Sequence, residues 1–400
     1  MTEKQMSVSP TDSTESRDST WHPVVAPKSL YIHIPFCRRR CGYCNFSLVA
    51  NRDYLVERFL RALAQEISWL DRSYPLQTLF LGGGTPSHLT SSQLRELKRV
   101  LATRFEFDQA AEVTAECNPN DLGTEKSEAL AEFGINRVSL GVQSFNAAKL
   151  ERLERDHRAE DVAKAVLRSR RFARSISLDL IFAAPEESLA QWQQDLRSAL
   201  ELDPDHLSVY ELTYEKGTQF WNRLQHQKLN EADEDLRAEM YELAMTEIEK
   251  AGLKQYEISS FAKPNHLCGH NEIYWMGEPY FAFGPGASRY IDGCRQTNHQ
   301  STMQYIKLIE AGQRPIAISE KLSPVDSARE LLAIGLRRVA GLDDAVFRAR
   351  TKCSISDLLG DQARIWIELG LLSREGAIWK LTPPGRMVGD WLATKIISKV

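Results

Sequence analysis

Three of the seven cysteines fall close together as Cys37-x3-Cys41-x2-Cys44, whereas Cys117, Cys268, Cys294 and Cys353 are scattered. Thiolates are soft ligands, suited to iron–sulfur clusters and to zinc. A structural zinc takes four protein ligands. His33 would be the fourth, but it falls inside a predicted strand, where a packed polar side chain is the commoner outcome. An iron–sulfur cube has four iron corners, so three thiolates leave one iron open. That open iron suits a small molecule offering an amino and a carboxylate group together.

Other residues carry chemistry at a distance from these. Gly82-Gly83-Gly84-Thr85-Pro86 lets backbone carbonyls approach a ligand, because glycine has no side chain, although a plain turn uses the same residues. Glu116 and Gln143 close apolar segments. A carboxylate such as Glu116 accepts hydrogen bonds from an ammonium or from hydroxyls. Asp179, in Leu178-Asp179-Leu180-Ile181, is tolerated in an apolar strand only if it is paired or faces a cavity. Arg155 offers a fork for a carboxylate, or is one more charge on a solvated, Arg-rich helix.

These residues need elements to position them. Leu30–Ile34 reads as a buried strand ended by Pro35. Residues 53–70 read as an amphipathic helix with Leu55, Phe59, Leu60, Leu63, Ile67 and Leu70 on one face. The alternation then repeats, with strands at 78–81, 112–116, 137–142, 176–182 and 206–212. Helices at 92–105, 124–133, 159–172, 189–202 and 231–250 follow them. Strand–helix alternation implies parallel strands joined by right-handed crossovers. Glu116, Gln143 and Asp179 lie toward the C-terminal strand ends, which carry the active site in barrels. The expected fold class is α/β: a partial (β/α)6 barrel, with an open doubly wound sheet as the alternative. Residues 256–261 offer one more strand, and 266–289 read as a structured loop region. A mainly helical, winged-helix-like end follows, with 377–381 as one arm of a wing. The expected divisions are a disordered tail over 1–28, a core over 29–260, a connecting region over 261–299 and a C-terminal domain over 300–400.

Bulk composition narrows the class. A 400-residue chain with 42% apolar residues can bury a large core without disulfides. A net charge of −4 gives no electrostatic support for nucleic-acid binding. An odd cysteine count and no apolar leader point to the cytoplasm. No stretch of 18 apolar residues predicts a membrane span.

The three-cysteine string after a first strand, with Tyr43 before the third cysteine, resembles the radical S-adenosylmethionine (SAM) superfamily. The wider string Tyr31-Ile32-His33-Ile34-Pro35-Phe36-Cys37 is similar to its HemN/HemW group, and the resemblance runs from about Ser29 to the C-terminus. It implies a [4Fe–4S] cluster on Cys37, Cys41 and Cys44, with SAM on the open iron. An electron from the reduced cluster would break the S–C5′ bond, giving methionine and a 5′-deoxyadenosyl radical. It implies SAM contacts from Tyr31, Gly83, Gly84, Thr85, Glu116, Gln143, Arg155 and Asp179, with Thr213 a weaker match. One departure stands out: family members carry Gly-x-Pro after the fifth strand, where this chain has Ala183-Ala184-Pro185.

Two features separate the branches. The dehydrogenase branch carries a fourth cysteine two residues after the third, where this chain has Phe46, and a longer structured N-terminal segment. Cys268-Gly269-His270-Asn271-Glu272-Ile273-Tyr274-Trp275 resembles the H-N-x-x-Y-W string of HemW-type haem chaperones. Imidazole and thiolate ligate haem iron, which makes His270 the first candidate and Cys268 the second. Otherwise His270 bonds a loop backbone and the aromatics are core. The resemblance implies haem delivery to an acceptor protein, a reductant for the cluster, and SAM gating transfer or a homodimer. The alternatives are oxygen-independent coproporphyrinogen III dehydrogenation, and a redox sensor binding nucleic acid through the C-terminal domain.

Overall fold

The computed structural model describes residues 23–398. Nine strands form its main sheet: β1 (Ser29–Ile34), β2 (Tyr74–Gly83), β3 (Phe105–Cys117), β4 (Arg137–Gln143), β5 (Ser175–Phe182), β6 (His206–Glu211), β7 (Lys254–Glu257), β8 (Ser260–Ala262) and β9 (Phe281–Phe283). Their spatial order is β9-β1-β2-β3-β4-β5-β6-β8-β7, with β9 and β1 to β6 all parallel. Strands β1 to β6 lie side by side in chain order. A doubly wound sheet needs a reversal of that order to place helices on both faces; without one, the crossovers stay on one face and the sheet curls. The partial barrel is therefore the fold. Its parallel edge is extended by β9, from the segment expected to be connecting loop.

The alternation along each strand explains the curl. In β4, Val138, Leu140 and Val142 are fully buried against the helical layer. Arg137, Ser139 and Gly141 occupy the opposite, inner face. The helical layer includes α1 (Val56–Ser68), α2 (Ser91–Leu101), α3 (Thr124–Phe133), α4 (Ala147–Arg152), α5 (Ala159–Ser169), α6 (Leu189–Glu201), α7 (Gln219–Gln225) and α8 (Glu234–Lys250). Helix α1 turns Phe59, Leu60, Leu63 and Ile67 inward, and α2 starts with a reciprocal Thr90–Gln93 capping box.

Residues 256–261 contribute to two short antiparallel strands, β7 and β8, rather than one. The 266–289 region holds a helix, α9 (Gly269–Trp275), before β9. Beyond it, Ser288–Ile291, Cys294–Asn298 and Ile316–Lys321 form a separate antiparallel sheet. The C-terminal unit has its own core around Leu332, Trp366, Trp379, Leu381 and Leu392. Its wing pairs Leu372–Glu375 with Ile378–Leu381. The expected tail over 1–28 lies outside the described residues up to position 22. Beyond that, the Val24 and Val25 N–H groups donate to the Asp292 carboxylate at 3.0 and 3.3 Å. The Lys28 carbonyl accepts from Gln77 N–H at 2.7 Å.

Candidate functional site

The cysteine loop leaves the barrel where β1 ends. Phe36–Cys37 pairs with Val49–Ala50, pinning both ends of the intervening loop. The glycine string runs alongside: Gly84 N–H donates to the Ile34 carbonyl at 2.7 Å, and Thr85 N–H to that of Phe36 at 2.9 Å. A Cβ at Gly84 would stand 2.8 Å from both carbonyl oxygens, and one at Gly83 would stand 2.5 Å from the His33 ring. Glycine is required there by contact. The result places the Thr85 hydroxyl 3.1 Å from Cys37 Sγ. Cys44 N–H closes a turn onto the Cys41 carbonyl at 3.1 Å.

Arg155 ties this loop to the barrel. Its Nη1 stands 3.8 Å from Cys41 Sγ, and its Nη2 donates to the Gly141 carbonyl at 2.6 Å and to Asn118 Oδ1. Sequence reasoning put Arg155 in a helix. It lies instead in the loop between α4 and α5, because Leu153 and Glu154 turn the chain after α4. That loop brings the guanidinium inward rather than leaving it on a solvated face. Its Nε is buried without a hydrogen-bond partner.

The barrel lumen is polar. Glu116 accepts from Gly83 N–H at 3.0 Å. Burial first, and the Asp179 carboxylate second, push Glu116 up to about 7. Asp179 is also raised by burial. It accepts from Ser139 at 2.9 Å and from Ser177 at 3.4 Å, hydroxyls that hold its charged form. Ser139 and Ser177 escaped sequence reasoning, although their every-second-residue spacing with Gly141 and Asp179 was a readable signal. Tyr31 donates its hydroxyl to His33 Nδ1 at 3.1 Å, since His33 Nε2–H is spent on the Ser47 carbonyl at 2.7 Å. Gln143 ends β4 at this rim, and Thr213 lies exposed beyond β6.

His270 and Cys268 sit at the other end, apart from the cysteine loop. The N-terminus of α9 enters the base of the barrel, where Glu112 accepts from Gly269 N–H at 3.2 Å and His270 N–H at 3.0 Å. The His270 ring is fully buried. Its Nδ1 is 2.8 Å from Thr78 Oγ1, its Nε2 is 2.8 Å from Tyr274 Oη, and it stacks on Phe80 at 5.3 Å. Burial holds His270 down at about 3. The Cys268 thiol faces Glu112 and is pushed up to about 12 by burial and that carboxylate. Both residues expected to meet haem iron are thus committed to internal contacts, because the expected loop is a packed helix. Helix α9 also joins the C-terminal unit: Arg338 bonds Glu272 at 2.9 Å, and Arg337 lies 4.8 Å over the Trp275 ring.

A cleft of about 330 Å³ opens between the cysteine loop and α9, lined by Tyr31, His33, Phe46, Tyr274, Tyr280 and Gln300 among others. Phe46, at its edge, is 61% exposed. The rim residues fit a cluster and a cationic ligand. Arg155 Nε lacks a partner, and Glu116 is a half-buried acid that a bound ammonium would ionise. Burial pushes Cys37 up to about 12 and raises Cys44, so ligation needs the field of the metal to draw off their protons. Among the described residues, no three His, Cys, Asp or Glu side chains are gathered as a single ion would require. Thiolates on separate corners of a cube need no such convergence.

The family model of the radical SAM superfamily matches residues 31–199, and that of the HemN C-terminal domain matches 322–388. The heme chaperone HemW of Bacillus subtilis is 37% identical over 371 residues, covering 91% of this chain and 97% of that one. The chain belongs to the HemW family. The HemW of Lactococcus lactis is 34% identical over 372 residues, covering 93% of this chain and 97% of its own. A mitochondrial radical S-adenosyl methionine domain-containing protein 1 from Danio rerio is 33% identical, covering 78% of this chain and 73% of its own. Among solved structures, coproporphyrinogen III oxidase (HemN) from Escherichia coli aligns with a TM-score of 0.82. It covers 96% of this chain and 93% of its own at 22% identity, a likeness of fold. Among the described residues, no helix is long and apolar enough to cross a membrane.

Proposed function

We propose that this chain binds haem and delivers it to an acceptor protein, using a [4Fe–4S] cluster and SAM. The observation that carries the reading is similarity to HemW across both units of the chain, over 97% of the Bacillus protein. Cys37, Cys41 and Cys44 would hold the cluster. Tyr31, Gly83, Gly84, Thr85, Glu116, Gln143, Arg155 and Asp179 would hold SAM, with Thr213 at the outer edge. Reduced, such a cluster supplies the electron that opens bound SAM. The chain's own residues bind and orient: Glu116 offers a carboxylate to an ammonium, and Arg155 offers its free Nε beside Cys41. The seven cysteines are all unpaired thiols, which suits a reducing cytoplasm.

Haemin titration of the anaerobically reconstituted chain tests the reading. Saturation near one haem per chain, followed by transfer to an apo-haemoprotein, is the expected result. Absence of saturable binding, together with turnover of coproporphyrinogen III, would replace it with the dehydrogenase.

A further inference from the structure

The string His270-x-x-x-Tyr274 spans one helical turn, which puts both side chains on the same face of α9. The histidine is buried, but the tyrosine lines the cleft. Resting on the haem-binding reading above, we infer that Tyr274, and not His270, is the axial ligand that this motif offers to ferric haem, with His270 as its positioning partner.

Three observations carry this. First, the cleft is suited to a flat macrocycle, with aromatic walls from Tyr31, Phe46, Tyr274 and Tyr280. The Tyr274 and Tyr280 rings meet edge to face at 4.7 Å. Second, Tyr274 Oη lies 2.8 Å from His270 Nε2, and Thr78 Oγ1 lies 2.8 Å from His270 Nδ1. With its proton on Nδ1, bonded to Thr78, the imidazole accepts the phenol's O–H at Nε2. The phenol oxygen keeps lone pairs for iron, and phenolate is an established type of haem ligand. Third, the other nitrogens and sulfur nearby are committed. His33 is bonded at both ring nitrogens, to Tyr31 and to Ser47, and Cys268 faces Glu112. Tyr31 forms a second tyrosine–histidine pair in the cleft, with its ring at Gly82 beside the Glu116 carboxylate, among the residues assigned to SAM.

The step balances without electron transfer. An Fe–O bond forms to Tyr274. The hydroxide that ferric haem carries in solution takes the phenol proton and leaves as water. His270 stays neutral, its single proton now on Nε2 facing the phenolate oxygen, and the Thr78 hydroxyl donates to Nδ1.

The test uses the full reconstituted chain, haemin and resonance Raman scattering excited in the phenolate-to-iron band. Wild type is expected to show tyrosinate modes that shift on ring-deuterated tyrosine labelling. Tyr274→Phe is expected to lose them and to bind haemin at least tenfold more weakly, about the worth of one charge-assisted contact. Tyr31→Phe is expected to retain them. His270→Gln, which keeps hydrogen-bonding groups but not the rigid ring that bridges Thr78 and Tyr274, should weaken the modes and the affinity. Saturable haemin binding without tyrosinate modes in wild type would overturn the proposal whether or not any variant folds. So would modes that vanish in Tyr31→Phe and survive in Tyr274→Phe. Either result leaves the haem-binding reading intact, whereas absence of saturable binding by wild type removes that reading itself.

Discussion

The rim and the base of the barrel handle their backbones differently. At the base, the left-handed turn residues are Asp203 (φ 50°) and Asn265 (φ 67°), types that tolerate that conformation. At the rim they include Gln143 (φ 64°), Glu154 (φ 57°), Ala183 (φ 60°) and Glu186 (φ 59°) beside the tolerant Asn51 (φ 56°). The first four each cost about 1–2 kcal/mol. They persist because a buried trio holds the loops. Lys149 Nζ bonds both Glu187 and Asp195. Asp195 accepts from Phe145 N–H at 2.7 Å and Glu187 from Ala184 N–H at 2.9 Å. Strain placed where ligands bind, and relaxed turns at the base, is the usual division in enzymes and ligand clamps.

If the base serves stability alone, Glu112→Ala should have the largest effect. It strips the acceptors from two N–H groups of α9 and leaves the buried Arg137, 3.7 Å away, without its counter-charge. A loss of about 3 kcal/mol is expected in urea unfolding, with cluster iron per folded chain unchanged. Loss of cluster with little loss of stability would break the division.

Glu116 gives the next effect. Its folded value, about 7, lies above the ordinary carboxylate range. Between roughly pH 4.5 and 7 the unfolded chain therefore gives up this proton while the folded chain keeps it. The stability this contributes is full below the unfolded value and is lost as pH rises through about 7. The SAM-free chain should lose melting temperature from pH 5 to 8, and Glu116→Gln should flatten that slope. A bound cation at Glu116 should flatten it too.

Ala183→Gly should give the smallest change. Glycine would relieve a left-handed alanine, and a gain of about 0.5–1 kcal/mol in thermal unfolding is expected. A loss would mean that the Ala183 methyl packs usefully at the rim.

Much of this was legible in the sequence. The six strand–helix units follow from apolar periodicity, and the cluster string and glycine loop from residue types alone. What escaped depends on distant contacts. Helix α9 contains Gly269 and Asn271, poor helix formers, and is held by Glu112 far away in the chain. Arg155 reads as surface charge until the turn at Leu153 and Glu154 aims it inward. The hairpin at Asp292-Gly293 was readable: both residues take positive φ, 52° and 73°, as the tightest hairpin turn demands. The strand β9 carries only Phe281, Ala282 and Phe283, too short to declare itself without its partner.

That short strand sets a timetable. Leu30 pairs with Phe281, so one of the first strands to leave the ribosome waits for its outer neighbour until most of the chain is made. At about 5–20 residues per second the delay is on the order of ten seconds or more. Through that interval the edge of β1, and the cysteine loop that springs from it, stand open to solvent. The late arrival of β9 leaves that edge unpaired until the wall beside the cysteine loop closes.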